Sequence, residues 1–269
     1  MYHREQTRVT RGVKKSQIPV TEWVTPALPL DQAGCIRLGE PPPRELLSVN
    51  EISSLHEFAR KDDHDELLSS MRYLADKYFT TENAILLMAI DPSTGDSLFH
   101  TGIRAQQLDA LAHLRKTFPP NGSFRLGEKA IFKHKNHAGE TMLPTAVKTG
   151  NIDMVVSAYR LFGRDKLVNE ERCAGWGQHL EEHTELPDDG VPHITFLLEK
   201  NSEGRDAATI AREIGYGSLA QWIDTVVTRL DPAGQRHDAE QRQKWECSIR
   251  DYYKHEYKEV LVGDDEINW

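Results

Sequence analysis

An octet led by glycine returns three times in this chain, and that return limits the fold more than any other feature. It reads Gly95-Asp-Ser-Leu-Phe-His100-Thr-Gly102, then Gly139-Glu-Thr-Met-Leu-Pro-Thr-Ala146, then Gly204-Arg-Asp-Ala-Ala-Thr-Ile-Ala211. In the second and third copies another glycine follows eleven residues after the first, at Gly150 and Gly215. Each octet runs into apolar residues at helical spacing. The first leads to Leu108, Leu111, Leu114 and Phe118, the second to Ile152, Val155, Val156, Tyr159 and Phe162, and the third to Leu219, Trp222, Ile223, Val226 and Val227. A unit that recurs every few tens of residues buries its apolar face by stacking on its copies, so the pattern predicts a stacked helical repeat. Each unit pairs a first helix of small residues with a bulkier second one, which makes a stack curve. Such arrays present an extended binding surface.

The rest of the chain is organised around that body. Ser48 or Asn50 caps a helix with Ile52, Leu55, Phe58 and Ala59 inward, and a second helix carries Leu67, Leu68, Met71, Leu74 and Tyr78 on one side. This hairpin reads as a degenerate first unit. Ala84–Ile90 fits either a short helix or a buried strand. Residues 1–47 carry Pro19, Pro26, Pro29 and Pro41-Pro42-Pro43 and read as an extended arm. Its apolar residues, Ile18, Val20, Trp23 and Leu30 among them, place part of it against the body or a partner. The repeat body is 48–230. Residues 231–269 read as an amphipathic helix from about Gln235 to Leu261 followed by an acidic tail, the helix either capping the stack or docking another protein.

Charge and cysteine usage narrow the class further. The formal net charge is −9, with seven acids against the one base Arg172 between Glu170 and Asp189. That balance argues against a direct nucleic-acid binder, which needs excess cations to displace counterions. It suits a basic protein partner, or a loop kept solvated by charge. Three scattered cysteines, Cys35, Cys173 and Cys247, make no disulfide framework. No apolar run reaches membrane-spanning length. The basic first fifteen residues read as a solvated arm, and a cytoplasmic or nuclear setting is expected.

The octets resemble the ankyrin repeat. That consensus has a glycine, then Thr-Pro-Leu-His and an alanine, with a second glycine before helix two. Gly139-Glu-Thr141-Met-Leu143-Pro-Thr-Ala146 with Gly150 carries the pattern best. Gly95–Gly102 has Ser97 for the threonine, keeps His100 and has Gln106 at the second glycine, while Gly204–Gly215 has Asp206 at the cap. The resemblance implies that Thr141 caps its helix by its hydroxyl, that the glycines take positive φ, and that His100 is structural. Ankyrin units run 33 residues, whereas Gly95 to Gly139 is 44 and Gly139 to Gly204 is 65, so insertions near 119–129 and 163–190 are required. The 44-residue period leaves HEAT or armadillo-like units as the alternative. The expected fold is therefore all-α: an ankyrin-like solenoid with long inserted loops. The resemblance puts partner contacts on the hairpin fingers and exposed first-helix positions, here Ser93, Asp96, Lys135, His137, Glu140, Ser202 and Arg205. Trp176, between two glycines in the long insertion, is a further candidate anchor.

Signals for chemistry are weak. His179 and His183 share a helical face with Cys173 and His193 in reach, the one arrangement that suggests a metal-dependent enzyme, against the plainer reading of polar loop histidines. Gly175-Trp-Gly177 is not a phosphate loop, and no Gly-x-Ser-x-Gly element occurs. The expectation is a scaffold, adaptor or assembly chaperone without catalytic residues, metal or cofactor, binding another protein alone or as a subunit of a larger complex.

Overall fold

The structure, a computed structural model, describes residues 27–38, 40–61, 63–118, 125–161 and 190–243. It is helical throughout, and the only β pairing among these residues is an isolated antiparallel bridge between Ile90 and Ser97. No described helix is long and apolar enough to cross a membrane.

The proline-rich segment contains a helix, α1 (Gln32–Arg37). Proline positions alone suggested none, but Pro29 and Pro41 bracket this helix and do not interrupt it. Asp31 starts it by accepting the Gly34 amide at 2.6 Å. Leu30, Cys35 and Leu38 are buried. The segment is tied down by polar bonds as well: the Leu30 amide donates to the Leu87 carbonyl at 3.2 Å, and the Arg44 amide to the Tyr78 carbonyl at 3.0 Å. Glu40, 3% exposed, takes hydrogen bonds from the Thr81 hydroxyl and, at 2.5 Å, from the Asn83 amide. Burial pushes its carboxyl above the usual range, against those two bonds.

Four helix pairs follow. The first is α2 (Val49–Lys61) and α3 (His64–Tyr78), then α4 (Glu82–Met88). Ser48 opens α2 reciprocally, accepting the Glu51 amide while its own amide donates to the Glu51 carboxylate. Leu55 and Ala59 are buried as the spacing implies, with Ile52 and Phe58 half-buried. The segment from Ala84 resolves as helix, since the Thr81 hydroxyl accepts the Ala84 amide and fixes a helical start. Next come α5 (Leu98–Arg104) and α6 (Leu108–Lys116) with α7 (Arg125–Lys133), then α8 (Met142–Thr149) and α9 (Ile152–Arg160) with α10 (Gly190–Leu197). The last pair is α11 (Ala207–Glu213) and α12 (Gly217–Leu230).

The first helices form one row, α2 on α5, α5 on α8 and α8 on α11, each also packed on its own second helix. Covered on both sides, they bury nearly everything: Leu98 to Ile103 in α5 and Met142 to Val147 in α8 are all inside. Fully burying one such Leu or Phe stabilises by about 1.5–3 kcal/mol. A third helix, α4, α7 or α10, leads into each glycine turn, and between octets the described part of the extra length includes α7 and α10.

The amphipathic helix expected from Gln235 begins later. Gln235–His237 is a 3-10 turn, and α-helix resumes over 239–243. Asp231 is the cause. Its carboxylate accepts the Gln235 and Arg236 amides, both at 2.8 Å, and the Arg236 guanidinium at 3.0 Å. Trp245, Ile249, Tyr252, Tyr253, Tyr257 and Val260 lie outside the described residues.

Candidate interaction surface

Each octet is preceded by a tight turn built by one Asx residue. Asn136 accepts the Ala138 and Glu140 amides on its side-chain oxygen, both at 3.0 Å, while its carbonyl accepts the Gly139 amide at 2.8 Å. Asn201 repeats this with Glu203, Arg205 and Gly204. Asp91 makes the same kind of turn one residue longer. The turns close only if the glycine is left-handed, and Gly95, Gly139 and Gly204 have φ of +73°, +71° and +77°.

Successive turns are joined. The His137 amide donates to the Thr94 carbonyl at 2.9 Å, and the Ser202 amide to the Ala138 carbonyl at 3.1 Å. Side chains reinforce the join: His137 Nδ1 donates to the Ser93 carbonyl at 3.2 Å, and the Ser202 hydroxyl to Ala138 at 2.7 Å. The approach is so close that a Cβ on Gly95 would sit 2.7 Å from the His137 amide nitrogen, and one on Gly139 2.6 Å from that of Ser202. Three turn tips are thereby fixed as one ladder.

Below the tips lie three inward histidines, His56 and His100 buried and His134 half-buried. His100 accepts the Ser97 amide on Nδ1 and donates from Nε2 to the Glu140 carbonyl at 3.1 Å, tying one unit to the next. His134 donates to the Gly95 carbonyl at 2.7 Å. His56 does the same one unit earlier, donating to Ala89 and accepting from Thr101. Burial pushes all three imidazoles below their usual range, His100 to about 4. Each is held neutral as a structural connector.

The sequence-derived contact positions separate into three groups. Ser93, Lys135, His137 and Ser202 are exposed on the ladder, and the structure brings them together. Lys135 is engaged there, donating to the Lys200 carbonyl at 3.0 Å and pairing with Glu199. Asp96 and Glu140 are instead buried, at 5% and 1% exposure, and cannot offer themselves to a partner. They stand one residue before the helix cap and pair with the residue seven beyond it: Asp96 with Arg104 at 2.8 Å, and Glu140 with Lys148. Arg205, half-buried, holds the same place in the third unit with the charges reversed, pairing with Glu213 at 2.8 Å and also with Glu203. Burial by itself would raise the Asp96 carboxyl, yet bonds from Arg104 and, at 2.8 Å, from Asn136 hold it below its usual value. Trp176, His179 and His183 lie outside the described residues.

Thr141 departs from its expected role. It occupies the cap position by backbone conformation, without a side-chain cap bond, whereas Ser97 and Asp206 cap through theirs. Gln106, in place of the second glycine, adopts the left-handed conformation at φ +59°. Reading from sequence missed Asp91, Asn136 and Asn201, although an Asx residue three or four before each octet glycine is a visible signal. It also missed the pairing partners Arg104, Lys148 and Glu213.

Two hollows adjoin the first turn of the ladder. An apolar groove of about 360 Å3 lies beside the first turn, walled by Leu28, Leu46, Val49, Ile52 and Pro92 with His137. Leu46 and Val49 stand 56% and 61% exposed there. Another, of about 530 Å3, lies between Arg60, Thr94, Asp96 and Arg104. Among the described residues no three His, Cys, Asp or Glu are placed to hold a metal ion. Comparison with family models, curated proteins and solved structures gave no match to this chain.

Proposed function

We propose that this chain is a non-enzymatic protein-interaction scaffold built from ankyrin-like units, each lengthened by a third helix. The observation that carries this reading is the ladder. Backbone hydrogen bonds hold three turns in fixed register, and their tips at Ser93, His137 and Ser202 face solvent in a row. A row pre-organised in this way loses little conformational freedom on binding, so contact energy goes into affinity. The positive-φ glycines, the Asx turns and the histidine link between units support the ankyrin-like reading over the HEAT or armadillo alternative. The exposed Leu46 and Val49 beside the first turn add apolar surface of the kind that anchors an interface. The partner is another protein, met in the cytoplasm or nucleus as scaffold, adaptor or assembly chaperone.

The test is purification of the full-length protein from its native cells at low and moderate salt, with mass spectrometry of what co-elutes. A stoichiometric protein partner, lost when Val49 and His137 are replaced by Asp and Ala, supports the reading. Folded, monomeric protein without a partner at either salt overturns it.

A further inference from the structure

The ladder has a direction. In each join, the second residue of a turn gives its amide to the carbonyl just before the preceding glycine. At the third turn the rule has no taker. No heavy atom lies within 4 Å of where a Cβ on Gly204 would be, and among the described residues no hydrogen bond reaches the Glu203 carbonyl.

The chain itself makes a fourth turn of the same build. Over Asp231-Pro-Ala-Gly234-Gln235 the Gly234 amide donates to the Asp231 carbonyl at 3.1 Å, the Gln235 amide to the Asp231 carboxylate at 2.8 Å, and Gly234 has φ +67°. Its second residue, however, is Pro232, which has no amide hydrogen to give. Pro92 stands at the same place in the first turn. Neither the chain's own next turn nor the first turn of a second copy can extend the row, so among the described residues its edge stays open.

Beside that edge, the C-terminal end of α10 with Glu199 and Lys200, α11, α12 and residues 235–242 enclose an open groove of about 870 Å3, with Lys133 of α7 also in its wall. The helix α11 packs on α8, and beyond it no further inner helix follows among the described residues. The groove lies against this last inner helix. Ala208, Ile223 and Val227 line it with apolar surface. Its charge is positive although the chain is at −9. Of its acids, Asp224 is paired with Arg212, Glu199 with Lys135, and Asp206 is occupied in capping Thr209. Among the described residues Lys200 and Arg242 make no ion pair, and His237 adds a further donor.

We propose that this end of the stack receives an extended, acidic segment of a partner protein. Its backbone amide bonds the Glu203 carbonyl over Gly204, and its carboxylates enter the groove towards Lys200 and Arg242. Main-chain bonding along an open edge gives such a segment its register, and complementary charge gives it selectivity and a fast approach. The proposal rests on the scaffold reading and names the chemistry of one partner.

The experiment titrates full-length protein into a fluorescein-labelled twelve-residue peptide of alternating Asp and Ala, read by anisotropy at 50 and 300 mM NaCl. Saturable binding is expected at low salt, weakened at least tenfold by the Lys200→Glu/Arg242→Glu pair and unchanged by Lys61→Glu on α2. All three altered residues are exposed, and circular dichroism confirms that the variants are folded. A benzophenone on the peptide should crosslink within residues 200–212. The proposal is overturned by absence of binding at 50 mM NaCl, by an equal loss with Lys61→Glu, or by equally tight binding of a polythymidine of matched charge. It is also overturned if Asp264→Asn/Asp265→Asn/Glu266→Gln raises the affinity tenfold, because the occupant would then be the chain's own tail. A failed titration with a native partner still co-purifying removes this site alone, whereas a partnerless native protein removes the scaffold reading.

Discussion

Gly139 and Gly204 share a backbone conformation and differ in what stands over them, so replacing each by alanine isolates the contribution of the ladder. Both have φ above +70°, where an L-residue pays roughly 1–2 kcal/mol. At Gly204 that is the whole effect, since a Cβ meets nothing within 4 Å. At Gly139 the Cβ would lie 2.6 Å from the Ser202 amide nitrogen, which is backbone and cannot swing aside. The third turn must retreat, stretching the 3.1 Å bond from Ser202 to Ala138. Losing that bond costs about 1 kcal/mol, and displacing a packed backbone a further ~1 kcal/mol at the low end of overpacking effects. Gly139→Ala should therefore destabilise by about 2 kcal/mol more than Gly204→Ala. Urea unfolding followed by far-UV circular dichroism, with slopes held equal, gives the difference. Gly95→Ala should follow Gly139→Ala, because His137 covers it in the same way. Equal midpoints for Gly139→Ala and Gly204→Ala would show that the turns do not bear on one another and would refute the ladder.

Three further outcomes are expected. His56, His100 and His134 have folded-state pKa values below the unfolded value of about 6.5, His100 near 4. The unfolded chain then binds more protons, so the stability they give is complete above pH 6.5 and is lost as pH falls towards 4, by roughly 3 kcal/mol for His100 alone. Urea midpoints at pH 7.5, 5.5 and 4.5 should fall in order, and His100→Gln should flatten the slope. Asp96→Ala, which strips the partner from Asn136 and Arg104, should destabilise by about 2–4 kcal/mol, whereas Arg205→Ala at the equivalent but half-exposed place should change stability by less than about 1 kcal/mol; thermal melts of the two variants decide. Cys35 is fully buried and its thiol is raised to about 11, by burial first and then by Glu40 and Asp31, so its peptide should stay unlabelled by iodoacetamide at pH 8 until urea is added.

Local rules were legible in the sequence where one residue type has one physical use. The glycines at 95, 139, 150, 204 and 215 all prove left-handed, and His100 bridges units as expected. What failed was any statement requiring knowledge of a neighbour. Asp96 and Glu140 read as exposed because the resemblance places them on the hairpin fingers and first-helix positions that face a partner. Each is covered by the long side chain seven residues beyond its own cap, in a contact that only the folded helix makes. The place of α1 was hidden because prolines set where helices cannot run without saying what lies between them. The late start of the last helix turned on the Asp231 carboxylate gathering three donors, a matter of geometry that apolar periodicity does not record.

The two prolines carry more information about the surface than the side chains at the turn tips. Both joins in the ladder run from backbone amide to backbone carbonyl, so any residue with an amide hydrogen fits the second place of a turn, and His137 and Ser202 differ freely there. Proline is the one residue excluded, and it stands in the first turn and in the fourth. The row accordingly begins at Asp91 and stops at Gly204 although a fourth turn of the right shape exists. Its length is set by where the donor is withheld, not by how many turns the chain can make. Among the described residues an open edge at Glu203 follows from Pro232, and the groove holding Lys200 and Arg242 lies against the last inner helix.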